Sequence, residues 1–270
     1  MRSEDEMVAY ALETHTALLP HLPELLADLQ ELGSDAGAIT SVLENLNLTG
    51  STTVVDLGCG KGAAAVEVAE RLNFKVLGID LFEPFLDTCK EQAESRGVSE
   101  LCQFIHGDIL KLAGKLEPYD VAIFAALGDV LGPLDQTVSI IRQYIKPGGY
   151  MVISDGFIKD GGSPDFPGFE QYADRPNMIA RLVACGDTLV NEIIEANTGD
   201  GGEHDEGEII AARARAIAAR EPEIAAAVLN YAKAQVAEYK FIDENFVGAI
   251  WVLKRSDERL FSAASGKSNF

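Results

Sequence analysis

Positive charge is scarce in this chain of 270 residues: 22 lysines and arginines face 43 aspartates and glutamates, a net charge of −21. So acidic a surface repels phosphate backbones and no basic cluster offsets it, so nucleic acid is not an expected partner. Cysteine is sparse too. Cys59, Cys89, Cys102 and Cys185 form no C-x-x-C pair and no metal-ligand spacing. They read as isolated reduced thiols, which excludes a disulfide framework and suits a cytoplasmic protein. No apolar run reaches the roughly 20 residues that cross a bilayer, and the acidic N-terminus lacks an apolar signal core, so membrane insertion is not expected. The tract Asp200–Glu208 breaks the calcium-loop pattern and carries one histidine; it reads as a solvated loop, and no metal is expected. Hydrophobic residues, at 47%, are ample for one large α/β domain with an insertion, or for two small domains.

What the chain does have is a strand that ends in a glycine turn. Val54-Val55-Asp56-Leu57 makes a short buried-strand pattern, Gly58-Cys59-Gly60-Lys61-Gly62 breaks it, and Ala63-Ala64-Ala65 opens a helix. Glycine suits a sharp turn and lets a ligand approach backbone where a Cβ would collide. The helix start offers N–H groups and the positive end of its dipole. Together they predict a nucleotide-type site at the carboxyl edge of a parallel sheet. Two cofactors stay open at this point. Gly58-x-Gly60-x-x-Ala63 satisfies the dinucleotide fingerprint. Asp56, however, sets a carboxylate beside the ligand, where it holds an ammonium group and repels a pyrophosphate.

Asp56-x-Gly58-x-Gly60-x-Gly62 resembles the first motif of class I S-adenosylmethionine (SAM)-dependent methyltransferases. Asp80, ending the strand Phe74–Ile79, stands near the ~20-residue interval at which a carboxylate receives the ribose hydroxyls. His106-Gly107-Asp108-Ile109 resembles the family motif whose acid meets the adenine amino group while the next apolar residue covers the ring. Lys146-Pro147-Gly148-Gly149, expected as a turn before the strand Tyr150–Ser154, is similar to the same family. The resemblance implies SAM as cofactor and S-adenosyl-L-homocysteine (SAH) as product. Its implied contacts are Asp56, Gly58, Cys59, Gly60, Gly62, Asp80, Leu81, Gly107, Asp108, Ile109 and Ala125. It also implies a Rossmann-like seven-stranded, mostly parallel α/β sheet with a C-terminal antiparallel hairpin and helices on both faces. The whole looks most like the small-molecule branch, near the ubiquinone/menaquinone C-methyltransferases. No D/N-P-P-Y/F sequence follows the fourth strand, Tyr119–Phe124, which disfavours a nucleobase amine as acceptor.

Residues 1–50 are expected to be a helical lid. Leu18, Leu22, Leu25, Leu29 and Leu32 fall at helical spacing, Pro23 suits the first turn of a helix that Gly33 ends, and Ser34 or Asp35 caps the next. Residues 51–155 form the core. Residues 156–235 are expected to be a substrate cap with helices near 177–196, 209–219 and 222–235. Residues 236–255 close the sheet as a hairpin (Glu238–Ile242 with Phe246–Lys254), and 256–270 form a loose tail. The acceptor rim offers Asp129, Asp155 and His15 as candidate bases, and Tyr10, Glu170, Tyr172 and Arg175 as candidate acceptor contacts. The expected function is in-line methyl transfer to a small-molecule acceptor by a monomer or homodimer. An NAD(P)-dependent oxidoreductase would want a Tyr-x-x-x-Lys relay, which is missing from any suitable place. A non-catalytic SAM-binding regulatory protein is the third reading.

Overall fold

The computed structural model describes residues 2–194 and 202–256. In chain order its elements are α1 (Glu4–Ala11), α2 (Leu22–Leu25), α3 (Ala36–Glu44), β1 (Thr53–Leu57), α4 (Ala63–Leu72), β2 (Lys75–Asp80), α5 (Glu83–Ser95), β3 (Cys102–His106) and α6 (Ile109–Leu112). There follow β4 (Tyr119–Ala125), α7 (Leu134–Ile141), β5 (Ile145–Ile158), α8 (Arg175–Leu182), β6 (Thr188–Ile194), α9 (Gly202–Arg220), α10 (Ala225–Asn245) and β7 (Phe246–Lys254). Seven strands lie in the order β3-β2-β1-β4-β5-β7-β6. β1 to β5 pair in parallel, and β7 runs antiparallel to both β5 and β6. The order reverses between β1 and β4, the switch point where open α/β sheets bind ligands.

The strands are near-continuous apolar runs because both sheet faces are covered. Val55, Leu57 and Phe124 pack against Val138 and Ile141 of α7 on one face. Val54, Val121 and Ile123 pack against Ile39 of α3 and Ala65 and Val68 of α4 on the other. A third cluster joins Leu22, Leu25 and Leu29 to Phe82, to Ile210 and Ile217 of α9, and to Val228 and Tyr231 of α10. The N-terminal segment and the α9–α10 pair thus pack together over the carboxyl edge of β2. Among the described residues no helix is long and apolar enough to cross a membrane.

Several expectations are corrected. The helix expected from Pro23 to Gly33 is cut short: α2 stops at Leu25, and Leu26 and Leu29 stay buried beyond it. The reason is Lys61, whose ammonium takes the carbonyls of Leu26 and Leu29 (2.7 Å to the latter), so no continuing helix is needed to satisfy them. Lys146–Gly149 is a bulge inside β5, because Tyr119 pairs with Ile145 and Val121 with Tyr150. Asp155 therefore lies within β5, opposite Ala249, rather than at a strand end. The segment read as a helix over 177–196 is α8 followed by β6; Gly186, at φ +81°, breaks the chain between them, and Thr188-Leu-Val-Asn-Glu-Ile-Ile194 supplies the β-branched pattern. β6, not Glu238–Ile242, is the antiparallel partner of β7, and Glu238–Ile242 belongs to α10. The tract read as a loop over 200–208 is helical from Gly202 onward; Asp200 and Gly201 fall outside the described residues, as does the tail beyond Ser256. No group of metal-ligating side chains occurs among the described residues.

Candidate active site

The glycine turn is built on backbone that only glycine takes easily. Gly58, Gly60 and Gly62 have φ of +72°, +50° and +83°, in the left-handed region that costs other residues about 1–2 kcal/mol. A Cβ on Gly58 would stand 2.4 Å from Leu127 Cδ1, and one on Gly62 2.8 Å from the Cys89 sulfur. The N–H groups here are largely used inside the protein. Gly58 and Cys59 donate to the Ile79 carbonyl at 2.8 and 3.0 Å. Gly60 donates to Asp80 Oδ2 at 2.8 Å, and Ala65 at the start of α4 donates to the Asp56 carboxyl. Two carboxylates thus hold donors that a phosphate would otherwise take.

Asp56 is 3% exposed, and burial, then the nearby Asp80, pushes its carboxyl up to about 7. Burial raises Asp80 as well, opposed by N–H bonds from Phe82 (2.8 Å) and Gly60. Asp56, Gly58, Gly60 and Ala125 line a cavity of about 40 Å³, walled on its other side by Gln30, Leu32 and Ser34. That volume holds a few water molecules and is smaller than a nucleoside. Lys61, 6% exposed, ties this wall to the turn through the two leucine carbonyls, and burial lowers its amine to about 8. Sequence reasoning passed over Lys61, although its place between two motif glycines was the signal.

The other expected cofactor contacts divide. The Cys59 thiol packs with Leu86 and Cys89, and Cys59 also lines the cavity. The Leu81 carbonyl meets His106 Nε2 at 3.0 Å. Gly107 donates to the Asp80 carbonyl (2.9 Å), and a Cβ there would meet Leu112 at 2.6 Å. Asp108 caps α6 through the Leu110 N–H (2.8 Å), and the Ile109 carbonyl accepts the Tyr144 hydroxyl. Gly58, Asp80 and Asp108 therefore stand at the ends of three adjacent strands, as the sequence spacing implied.

The rim expected to hold the acceptor is organised by tyrosines. Tyr10 donates to Asp129 at 2.7 Å, which raises the phenol, and Tyr172 donates to Asp155 at 2.7 Å. Burial pushes Asp155 up to about 7 and carries Tyr172 well above its ordinary value. Gln235 donates to both Glu13 (3.4 Å) and Glu238 (3.1 Å). Burial and the hydrogen-bonded Glu13 push Glu238 up to about 9. Glu238 and Tyr231 were missed by sequence reasoning because their stretch was read as helix end and strand; the spacing 231, 235, 238 places them on one helix face. His15 lines an open groove of about 550 Å³ with Tyr10 and Thr14. Glu170 accepts the N–H of Gly168 in a local turn, and Arg175 is paired with Glu192 of β6. The structure does not bring these three to Asp155.

A family profile described as "Methyltransferase domain" matches residues 48–212, more than half of the chain. The chain belongs to the methyltransferase-domain family. It is 32% identical over 114 residues to a ribosomal protein L11 methyltransferase of Photobacterium profundum, covering 42% of this chain and 36% of that protein. It is 33% identical over 99 residues to a tRNA 5-carboxymethoxyuridine methyltransferase of Escherichia coli, covering 36% of this chain and 38% of that one. The match thus spans little more than a third of each relative's length. A SAM-dependent methyltransferase from Geobacter sulfurreducens, solved in complex with SAH, superposes with a TM-score of 0.74 at 19% identity, over 87% of this chain and 97% of that one. This methyltransferase-family chain therefore shares with it the fold.

Proposed function

We propose that this protein binds SAM at the glycine turn and transfers its methyl group to a small-molecule acceptor held under the α9–α10 cap. The observation that carries the reading is the pair of carboxylates at the turn. Asp56 and Asp80 occupy the N–H groups of Ala65 and Gly60, which favours a cationic sulfonium-ammonium cofactor and disfavours the pyrophosphate of NAD(P).

The residues fit the cofactor in kind. The glycines carry no side chain over the cavity, so backbone meets the ligand directly. Asp80 at the end of β2 receives the ribose hydroxyls, Asp108 and Ile109 the adenine, and Asp56 faces the ammonium end. When bound, SAM supplies an electrophilic methyl on a sulfonium that leaves as a neutral thioether. Residues 1–50 act as the lid and 156–235 as the cap, excluding water and fixing the acceptor near Ala125 and Asp129. Such positioning contributes on the order of 7–11 kcal/mol. Asp129 or Asp155 is the base where the acceptor must lose a proton. The net charge of −21 supports a small molecule over a nucleic acid acceptor. Within the family, the chain is read as lying near the ubiquinone/menaquinone C-methyltransferases, which it resembles as a whole.

Equilibrium dialysis against labelled SAM and NAD⁺ tests the reading. SAM is expected to be retained and NAD⁺ not; retention of NAD⁺ alone would reject it. Retention of SAM with no methyl transfer to any acceptor would favour the regulatory reading.

A further inference from the structure

Lys61 stands between two motif glycines, yet its side chain turns away from solvent. It is buried, and its ammonium donates to the backbone carbonyls of Leu26 and Leu29. Asp28, the acid whose charge reaches this ammonium, is itself paired with Arg213 of α9. A buried donor on two carbonyls fixes main chain, because each carbonyl would otherwise stand unpaired. The stretch that follows is built otherwise. Residues 30–34 belong to no helix or strand, and none of their N–H groups donates a hydrogen bond among the described residues. Leu32 Cδ1 comes to 3.4 Å from the place a Cβ on Gly60 would take, and a Cβ on Gly33 would stand 3.2 Å from Ala126 Cβ. The stretch thus crosses from the glycine turn to the end of β4, and Gln30, Leu32 and Ser34 wall the cavity. Both of its ends are held. Lys61 fixes the first; at the second, Glu31 accepts the Ala36 N–H at 3.2 Å and Asp35 accepts the Ala38 N–H at 2.8 Å. A segment poor in backbone bonds between two anchored ends can open without the rest of the fold.

We propose that Lys61 is a positioning residue for the cofactor: it latches the strap of residues 30–34 over the glycine turn, and release of that strap sets the pace at which SAM enters and SAH leaves. This deepens the methyl-transfer reading and takes its ligand from it. The cavity under the strap, about 40 Å³, is smaller than a nucleoside, so the strap swings outward between its ends to admit the cofactor and then settles on it. Both latch bonds are internal to the chain. The strap therefore closes over the turn by itself, and each exchange of cofactor has to break that closure.

Lys61→Met is the variant that tests the latch. It keeps an unbranched apolar stem near Phe85, whose ring centre is 5.9 Å from the ammonium, and removes the donors. Hydrogen exchange of the full chain without added ligand is the first reading. The N–H groups of Leu26 and Leu29 donate to the Leu22 and Leu26 carbonyls at 2.9 and 3.1 Å. In Lys61→Met they should exchange about tenfold or more faster, with α4 within about twofold of the wild type, a contrast that a general loss of stability would not give. Stopped-flow mixing with SAH is the second reading. The wild-type observed rate should level off as SAH rises, because strap opening comes first. In Lys61→Met that ceiling and the SAH release rate should both rise about tenfold or more. Leu32→Ala trims the wall and leaves the latch; it should raise the ceiling about two- to fivefold, and it serves as the test if Lys61→Met does not fold. The proposal is overturned if Leu26 and Leu29 exchange in Lys61→Met as in the wild type, if the wild-type rate climbs in proportion to SAH with no ceiling, or if neither variant raises the ceiling. If the wild type binds no SAH, the methyl-transfer reading itself fails, and the exchange comparison still decides whether Lys61 holds the strap.

Discussion

The two halves of the carboxyl edge are built by opposite means. The cofactor half, at β1 to β3, is made from backbone: three glycines at positive φ, donors locked by Asp56 and Asp80, and a cavity of about 40 Å³. The acceptor half, at β4 and β5, is made from side chains that arrive from distant segments. Glu13, Asp129, Asp155, Tyr172, Tyr231 and Glu238 come from five stretches of chain. The difference teaches where substitution acts. A change in the first half strains the main chain whatever ligand is bound. On the proposed function, a change in the second half is expected to alter which molecule is accepted and to leave the turn alone.

Gly58→Val attacks the first half hardest. The new side chain must sit at φ +72° and overlap Leu127, a backbone cost of about 1–3 kcal/mol before the clash is counted. Urea denaturation should show that loss of stability, and SAH binding should disappear; unchanged binding would mean that the cofactor does not lie on this turn. Asp80→Ala comes next. It removes the partner of the Gly60 and Phe82 N–H groups together with the proposed ribose contact. Bonds to a charged group contribute about 1.5–3 kcal/mol each, so SAM affinity should fall by tenfold or more in a fluorescence titration.

The acceptor half should announce itself through pH. Asp155 is raised to about 7 and Glu238 to about 9 by burial, and Asp56 in the cofactor half is raised to about 7. For each, the folded state holds a proton that the unfolded chain, with carboxyls near 4, releases. The folded form binds more protons in that window, so stability is greatest at the acid end and falls as pH rises. The thermal midpoint should therefore drop between about pH 5 and pH 8, and Glu238→Gln should flatten part of the slope. A midpoint that climbs over that range would contradict the assignment of these groups as buried acids. Smallest of all is Arg175→Ala. Its pair with Glu192 is half exposed, and surface pairs contribute about 0–1 kcal/mol. SAH affinity and methyl-transfer activity should both be unchanged, and a large loss of activity would put Arg175 back at the acceptor site.

The same contrast explains what could be read from the chain alone. The turn, Asp80 and Gly107-Asp108 were legible because a strand end and its following turn are local: residues adjacent in sequence are adjacent in the site. The seven-stranded, mostly parallel sheet and its reversed last strand followed from the family resemblance. The acceptor half was not legible. Asp155 was placed at a strand end because nothing local reveals that β5 continues to Ile158 against β7. Thr188–Ile194 was absorbed into a helix because a short apolar run fits either period. Glu238 was assigned to a strand, yet Tyr231, Gln235 and Glu238 become neighbours of Glu13 only when the long α10 forms and packs on the N-terminal segment. Lys61 shows the same limit at shorter range, since its partners lie 32 and 35 residues away.

The most direct measurement is calorimetric titration of SAH into the wild-type protein and into Glu238→Gln, side by side. The account predicts saturable binding at one site per chain, with affinities that agree within about twofold, because the turn and the rim are separate constructions. Failure of the wild type to bind SAH would contradict the cofactor assignment. Loss of SAH binding in a folded Glu238→Gln protein would contradict the division of the edge into two halves.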